Sequence, residues 1–351
     1  MYELNDKVKN LVPYDPICGT YDIRLDANES PFNLEGDILE QVKTAVSQIS
    51  FNRYPDPLCT ELTKAFADFY EIDGKNVTVG NGSDELISII ESSMLKKGDK
   101  LLVLEPDFSM YGFYSSICEV QCFKTQKQTD LKIDIDTLIE KINSEKINML
   151  IFSNPCNPTG QAITANEARH LVSSVSDCLV VLDEAYMDFY DETLINEVQN
   201  YNNLIILRTA SKAIGCASLR LGFAVANEKI TNALRAVKSP YNVNCVSQAI
   251  GTVIYNNKEF LKNQQKIIVN NTKILYNELT RISVCSDDFH VYETCANFVF
   301  VKTNQYKEIF EYLKNNSVVI RKFNGYLRIT SGTAFENKTV ISLLDNYFSL
   351  R

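Results

Sequence analysis

The sequence predicts an α/β protein, with a large layered domain followed by a smaller α+β domain. Three observations point there. Between about residue 75 and residue 230, short continuous apolar runs alternate with longer amphipathic stretches. Beyond residue 240 the alternation resumes on a smaller scale. Segments rich in Asn, Asp, Gly and Lys follow the apolar runs directly, where an open α/β sheet places its ligands.

The elements follow in chain order. Residues 1–34 are rich in turn formers and are expected to pack on the small domain or on a partner subunit. Residues 35–240 carry the apolar runs VTVG (77–80), LLVLE (101–105), NMLIFS (148–153), CLVVLDE (178–184), NLIILR (203–208) and LGFAVA (221–226). Such Val/Ile/Leu runs suit strands buried on both faces, as in a parallel sheet covered by helices. The stretches between them, such as DELISIIESSMLKKG and ANEARHLVSSVSD, have helical spacing and length, and the alternation predicts α/β layering. Residues 241–351 begin with two long helical stretches. The runs ANFVFVKT (296–303), VVIRKF (318–323) and YLRITSG (326–332) follow, separated by helix-like segments. No flexible linker marks the division near 240, and no repeat or low-complexity segment is visible.

Composition narrows the function. A chain of 351 residues exceeds one compact core and suits two domains. A net charge of −9 argues against a nucleic-acid or anionic-membrane surface, which needs clustered Lys and Arg. No run of eighteen apolar residues is present, so no membrane helix is expected, and the N-terminus lacks a signal-peptide layout. The cytoplasm is the expected compartment. Ten cysteines, at 18, 59, 118, 122, 156, 178, 216, 245, 285 and 295, form no C-x-x-C pair. The two histidines, His170 and His290, lie apart from them, so buried free thiols are expected rather than disulfides or a metal site. Glycosylation sequons such as those at Asn28 and Asn81 are chance matches without a secretory signal.

Four segments carry the candidate chemistry. After VTVG come Asn81-Gly82-Ser83-Asp84-Glu85, a plain helix cap or, through free N–H groups at the helix start, a phosphate site. After NMLIFS come Asn154-Pro155-Cys156-Asn157-Pro158-Thr159-Gly160, a turn more specific than a turn requires, with a cis bond at Asn157-Pro158 worth checking. After CLVVL comes Asp183, followed by Glu184-Ala185-Tyr186. A strand-end aspartate can hold Mg²⁺ in a P-loop ATPase, but the chain has no P-loop motif. It can also hold a pyridine nitrogen protonated. After NLIILR come Thr209-Ala210-Ser211-Lys212, and Arg220 follows eight residues later. Such a lysine is surface charge or a Schiff-base former, with Ser and Arg as donors to a dianionic phosphate.

On these residues the chain resembles the fold-type I pyridoxal 5'-phosphate (PLP) enzymes, in the aminotransferase branch that contains the histidinol-phosphate aminotransferases. The resemblance spans nearly the whole length. It rests on LDANESPF (25–32), RYPD (53–56), NGSDELI (81–87), SNPCNPTG (153–160), LDEAYMDF (182–189), RTASKA with LRLGF (208–223), KSPYNVN (238–244) and YLRITSGT (326–333). It implies a mainly parallel seven-stranded sheet between helices, with a smaller α+β domain beside it. It also implies that Lys212 forms the Schiff base and moves the proton, that Asp183 pairs with the pyridinium nitrogen, and that Asn157 and Tyr186 donate to the ring's phenolic oxygen. Phe108 would stack on the ring. Ser83, Asp84, Ser211 and Arg220 would hold the phosphate, with Tyr54 reaching it from the other subunit of a homodimer. Arg328 would receive a substrate carboxylate or phosphate, helped by Arg321, and Tyr14 would line that end.

Three positions depart from the pattern: Ser218 stands where many relatives have Gly, Phe108 where they have Tyr, and Asp107 where they often have Thr. They leave the cofactor residues intact and bear on substrate choice. The resemblance implies exchange of an amino group between L-histidinol phosphate and 2-oxoglutarate. The competing readings are a threonine-phosphate decarboxylase, an aromatic or aspartate aminotransferase, and a PLP-binding regulator without activity.

Overall fold

The computed structural model describes residues 2–9, 11, 17–284 and 286–349. In chain order its strands are β1 (Ile23–Leu25), β2 (Val77–Gly80), β3 (Lys100–Glu105), β4 (Gln121–Gln126), β5 (Met149–Ser153) and β6 (Leu179–Asp183). They continue with β7 (Leu204–Thr209), β8 (Gly222–Ala226), β9 (His290–Val291), β10 (Phe298–Lys302), β11 (Val318–Phe323) and β12 (Tyr326–Thr330). Its helices are α1 (Asp6–Lys9), α2 (Gly36–Ser47), α3 (Thr60–Tyr70), α4 (Ser83–Met94), α5 (Met110–Ile117) and α6 (Ile135–Glu145). Then come α7 (Ala165–Ser174), α8 (Glu228–Val237), α9 (Cys245–Asn256), α10 (Lys258–Ser283), α11 (Tyr306–Asn315) and α12 (Ala334–Ser349).

The large sheet has seven strands in the order β2-β8-β7-β6-β5-β3-β4, and only β8 runs antiparallel to its neighbours. Every residue of β5, β7 and β8 is buried. Period-2 alternation divides them between two cores: Leu204 and Ile206 of β7 face one helix layer, Ile205 and Leu207 the other. Local sequence starts the helices. Asp134, Thr164, Asn227 and Asn244 each accept a backbone N–H at the first turn, and Thr164 forms a capping box with Glu167.

Strand β4 escapes the sequence pattern. Its residues QCFKTQ are half-buried or exposed because it is the sheet edge, so no apolar run marks it.

The second sheet runs β1-β11-β12-β10-β9, with β1 parallel to β11 and the rest antiparallel. One face packs on α10, α11 and α12 through Leu327, Ile329, Leu275, Leu313 and Leu344. The short β1 docks the N-terminal segment on the small domain, and neither β1 nor β9 has the length to show in sequence.

Residues beyond 240 contribute to both cores. Helix α9 packs on α2 and α3, and Ile254, Tyr255 and Leu261 join the large core, whereas Leu275, Leu279 and Ile282 join the small one. The continuous helix α10 thus joins the two cores, and no linker composition lies between them.

Candidate active site

The C-terminal ends of the parallel strands face the second sheet across a cavity of about 730 Å³. Its lining includes Ser83, Asp84, Phe108, Asn157, Asp183, Tyr186, Ser211, Lys212, Arg220, Arg321 and Arg328, so eleven of the expected residues converge on one space. Tyr54 does not. It is 82% exposed and stacks on Tyr241 with ring centroids 4.6 Å apart, away from the cavity of its own chain. Tyr14 lies outside the described residues.

At one end sits Asp183, the last residue of β6. Its Oδ2 accepts the Tyr111 hydroxyl at 2.8 Å and its Oδ1 accepts the Ala185 N–H at 3.1 Å. Burial pushes its carboxyl up to about 7, against the pull of those two donors. A buried carboxylate with only neutral donors calls for a cation. Tyr111, fully buried on α5, was not found from sequence; its partner lies 72 residues away.

Lys212 lies on the turn after β7. Its Nζ donates to the Ala27 carbonyl at 2.9 Å and stands 5.8 Å from the centre of the Tyr186 ring. Burial, joined by the positive charge of Arg328, lowers its pKa to about 8. Near neutrality part of this amine is therefore unprotonated and nucleophilic. Tyr186 accepts from Asn28 Nδ2 at 2.9 Å, and burial raises its hydroxyl to about 12, so the phenol keeps its proton and can donate it. Asn28 belongs to the LDANESPF motif but was not singled out.

The β2–α4 turn forms a cradle. Gly82 has φ +87°, and a methyl there would meet Arg220 Nη2 at 2.6 Å. A methyl on Gly222 would meet Gly82 C and Ser83 N at 2.3 Å. Side chains are excluded, so the first N–H groups of α4 lie bare beside the Arg220 guanidinium, which is 3.4 Å from Ser211 Oγ and 3.3 Å from Asp84 Oδ2. Bare N–H groups, a helix dipole and a guanidinium suit a phosphate.

The other end is basic. Arg328 on β12 and Arg321 on β11 are register partners, so they share one face of the small sheet. Arg328 Nη2 donates to the Asp26 carbonyl at 2.6 Å, and Nη1 donates to Asn157 Oδ1. That bond leaves the Asn157 NH₂ as the donor end of the amide. Arg24, absent from the sequence expectations, also lines this end and pairs with Asp26 at 3.0 Å. The peptide bonds before Pro106, Pro155 and Pro158 are cis.

The site thus offers a nucleophilic amine, a carboxylate suited to a ring cation, a phosphate cradle and a pair of arginines for a second anion. These residues fit PLP at the cradle end: Lys212 for the aldehyde carbon, Asp183 for the ring nitrogen, and the Gly82 turn with Arg220 for the phosphate.

Comparison with known proteins agrees with this geometry. The family model described as aminotransferase class I and II matches residues 21–344. A Clostridium novyi protein named histidinol-phosphate aminotransferase is 41% identical over 347 residues, covering 97% of this chain and 96% of its own. A Clostridium kluyveri protein of the same name is 36% identical over 342 residues, covering 96% of each. The crystal structure of histidinol-phosphate aminotransferase from Sinorhizobium meliloti, in complex with pyridoxal 5'-phosphate, superposes with a TM-score of 0.87. It covers 100% of this chain and 99% of its own at 19% identity, a likeness of fold.

Proposed function

The chain belongs to the class I and II aminotransferases, and from that premise we propose that it exchanges the amino group of L-histidinol phosphate with 2-oxoglutarate, giving imidazole acetol phosphate and L-glutamate, with PLP as its cofactor. One observation carries the substrate choice: Arg321 and Arg328 stand side by side facing the cavity. Like charges directly opposite on a sheet repel, and an anionic guest removes that cost. A planar guanidinium binds a carboxylate or a phosphate bidentately, so one arginine pair serves both substrates in turn. The curated relatives at 41% and 36% identity carry the same activity in their names.

When bound, PLP supplies a protonated pyridine ring that takes up the electron pair released as the substrate's Cα–H bond breaks. Asp183 holds the ring nitrogen protonated, and Tyr111 holds Asp183. Lys212 Nζ carries the cofactor and then moves the Cα proton, as its lowered pKa allows. Asn157 and Tyr186 bind the ring oxygen, and Phe108 covers one ring face. Ser83, Asp84 (through backbone N–H groups), Ser211 and Arg220 bind the phosphate. Tyr54 completes that set from a second copy: it is exposed and stacked on the exposed Tyr241, and Phe51, Leu58 and Val237, close to them in sequence, are exposed as well, which suits a homodimer partner. Among the described residues no helix is long and apolar enough to cross a membrane, and we place the enzyme in the cytoplasm.

The deciding assay mixes the protein with PLP, L-histidinol phosphate and 2-oxoglutarate. Glutamate is expected. No glutamate, with carbon dioxide released from threonine phosphate, would overturn the substrate in favour of a decarboxylase. Borohydride reduction is expected to fix the cofactor on the peptide that contains Lys212; a label elsewhere sinks the cofactor assignment.

A further inference from the structure

Beneath the cavity lies a charged pair for which the activity has no use so far. Lys127, directly after the edge strand β4, and Asp107, two residues past the end of β3, stand 3.4 Å apart with side chains only 1% and 2% exposed. Lys127 Nζ also donates to the Pro106 carbonyl at 2.9 Å and approaches Cys156 Sγ at 2.8 Å. Burial by itself would lower the lysine's pKa, yet Asp107 and Cys156 hold it raised, so the ammonium stays charged. A buried ion pair contributes little to stability over an apolar pair of the same shape. Its place in the fold therefore matters more than its energy.

That place is the junction of two loops that line the cavity. Asp107 Oδ1 accepts the Phe108 N–H at 2.8 Å and the Ser153 N–H at 3.3 Å, and it also accepts the Ser153 hydroxyl. Ser153 Oγ in turn accepts the Asn157 N–H at 3.0 Å. One carboxylate thus holds the backbone that presents Phe108 and, through Ser153, the backbone that presents Asn157. Asn157 continues the chain to Arg328.

We propose that Asp107, paired with Lys127, is a positioning residue that sets Phe108 and Asn157 relative to the bound cofactor. The inference rests on the PLP reading above. If the carboxylate loses its counter-charge, it is left buried without a cation and is drawn toward solvent. That shift weakens its hold on the Phe108 and Ser153 donors. Asn157 then moves relative to the ring oxygen, whose charge governs how tightly the lysine nitrogen holds its proton.

The test compares Lys127→Gln, Asp107→Asn and the double variant with the wild type, all as holoenzyme. The visible absorbance of the lysine-linked cofactor is titrated, and kcat, KM and Tm are measured. The titration midpoint is expected to move by roughly half a pH unit or more in each single variant. The kcat is expected to fall about tenfold, with a smaller change in KM, because displacement of a positioned group costs rate rather than uniform binding. The double variant buries no unpaired charge, so it is expected to recover Tm while the midpoint stays displaced. Folded variants that keep the wild-type midpoint and kcat, with only Tm altered, overturn the inference and leave a structural strut. A wild type with no borohydride-fixable cofactor overturns the PLP reading and this inference with it.

Discussion

Replacing Tyr111 by Phe removes one oxygen and nothing else from the packing around Asp183. The ring that meets Phe108 edge-on, with centroids 5.6 Å apart, stays in place. The lost hydroxyl supplies one of two hydrogen bonds to the Asp183 carboxylate, at 2.8 Å and fully buried. A hydrogen bond to a charged group is worth about 1.5–3 kcal/mol, which is roughly one to two pKa units. The Asp183 carboxyl, already near 7, should rise to roughly 8–9. At pH 7.5 the ionised fraction of the free protein then drops roughly three- to twenty-five-fold, and affinity for a ring cation drops with it. The deficit should shrink as pH rises past the new pKa. PLP affinity of apoprotein, measured by fluorescence quenching or equilibrium dialysis from pH 6 to 9.5, shows this as an upward shift of the profile. A folded Tyr111→Phe protein with the wild-type profile would refute the reasoning, because Asp183 would then owe its state to burial alone.

Two further substitutions probe the frame. Glu91 of α4 is fully buried with neither carboxylate oxygen partnered, and burial raises its pKa from the ordinary 4.5 to about 8. Between those values the folded state keeps a proton that the unfolded state has released, so stability falls as pH rises through the window and levels off above it. Glu91→Gln should therefore match the wild type in unfolding free energy near pH 5 and exceed it at pH 8, by up to a few kcal/mol; a gain that does not vary with pH contradicts this. Gly222→Ala puts a methyl 2.3 Å from the β2–α4 turn, so a loss of about 1–3 kcal/mol is expected. Inorganic phosphate should also protect the variant less against heat than it protects the wild type. Unchanged protection would show that the cradle does not hold the anion.

Much of the site was legible because its parts are local. Lys212, Ser211 and Arg220 lie within ten residues, and the strand that ends before them shows its burial in every residue. The Gly82 turn and the helix that starts after it are likewise matters of neighbouring residues. Strand runs and helix caps depend on backbone geometry over a few residues, so they appear in any short window of sequence. For the same reason β4 and β9, polar or short, were not seen.

Other features depended on which distant segments meet. Tyr111 meets Asp183 because α5, packed on α4, β3 and β4, brings its hydroxyl to the end of β6, and nothing within MYGFYSSI distinguishes that tyrosine from Tyr114 three residues later. Lys127 reads as an ordinary polar residue until the edge strand carries it under Pro106. Arg24 enters the cavity only because β1 joins the small sheet beside β11. That one helix, α10, belongs to both cores likewise shows only in the packing. The sequence by itself determined the chemical inventory of the site and the order of the elements that carry it, since both follow from residue type and local backbone preference. Tertiary structure alone decided which side chains hold those groups in place, because such contacts arise only when separate stretches of chain are packed against one another.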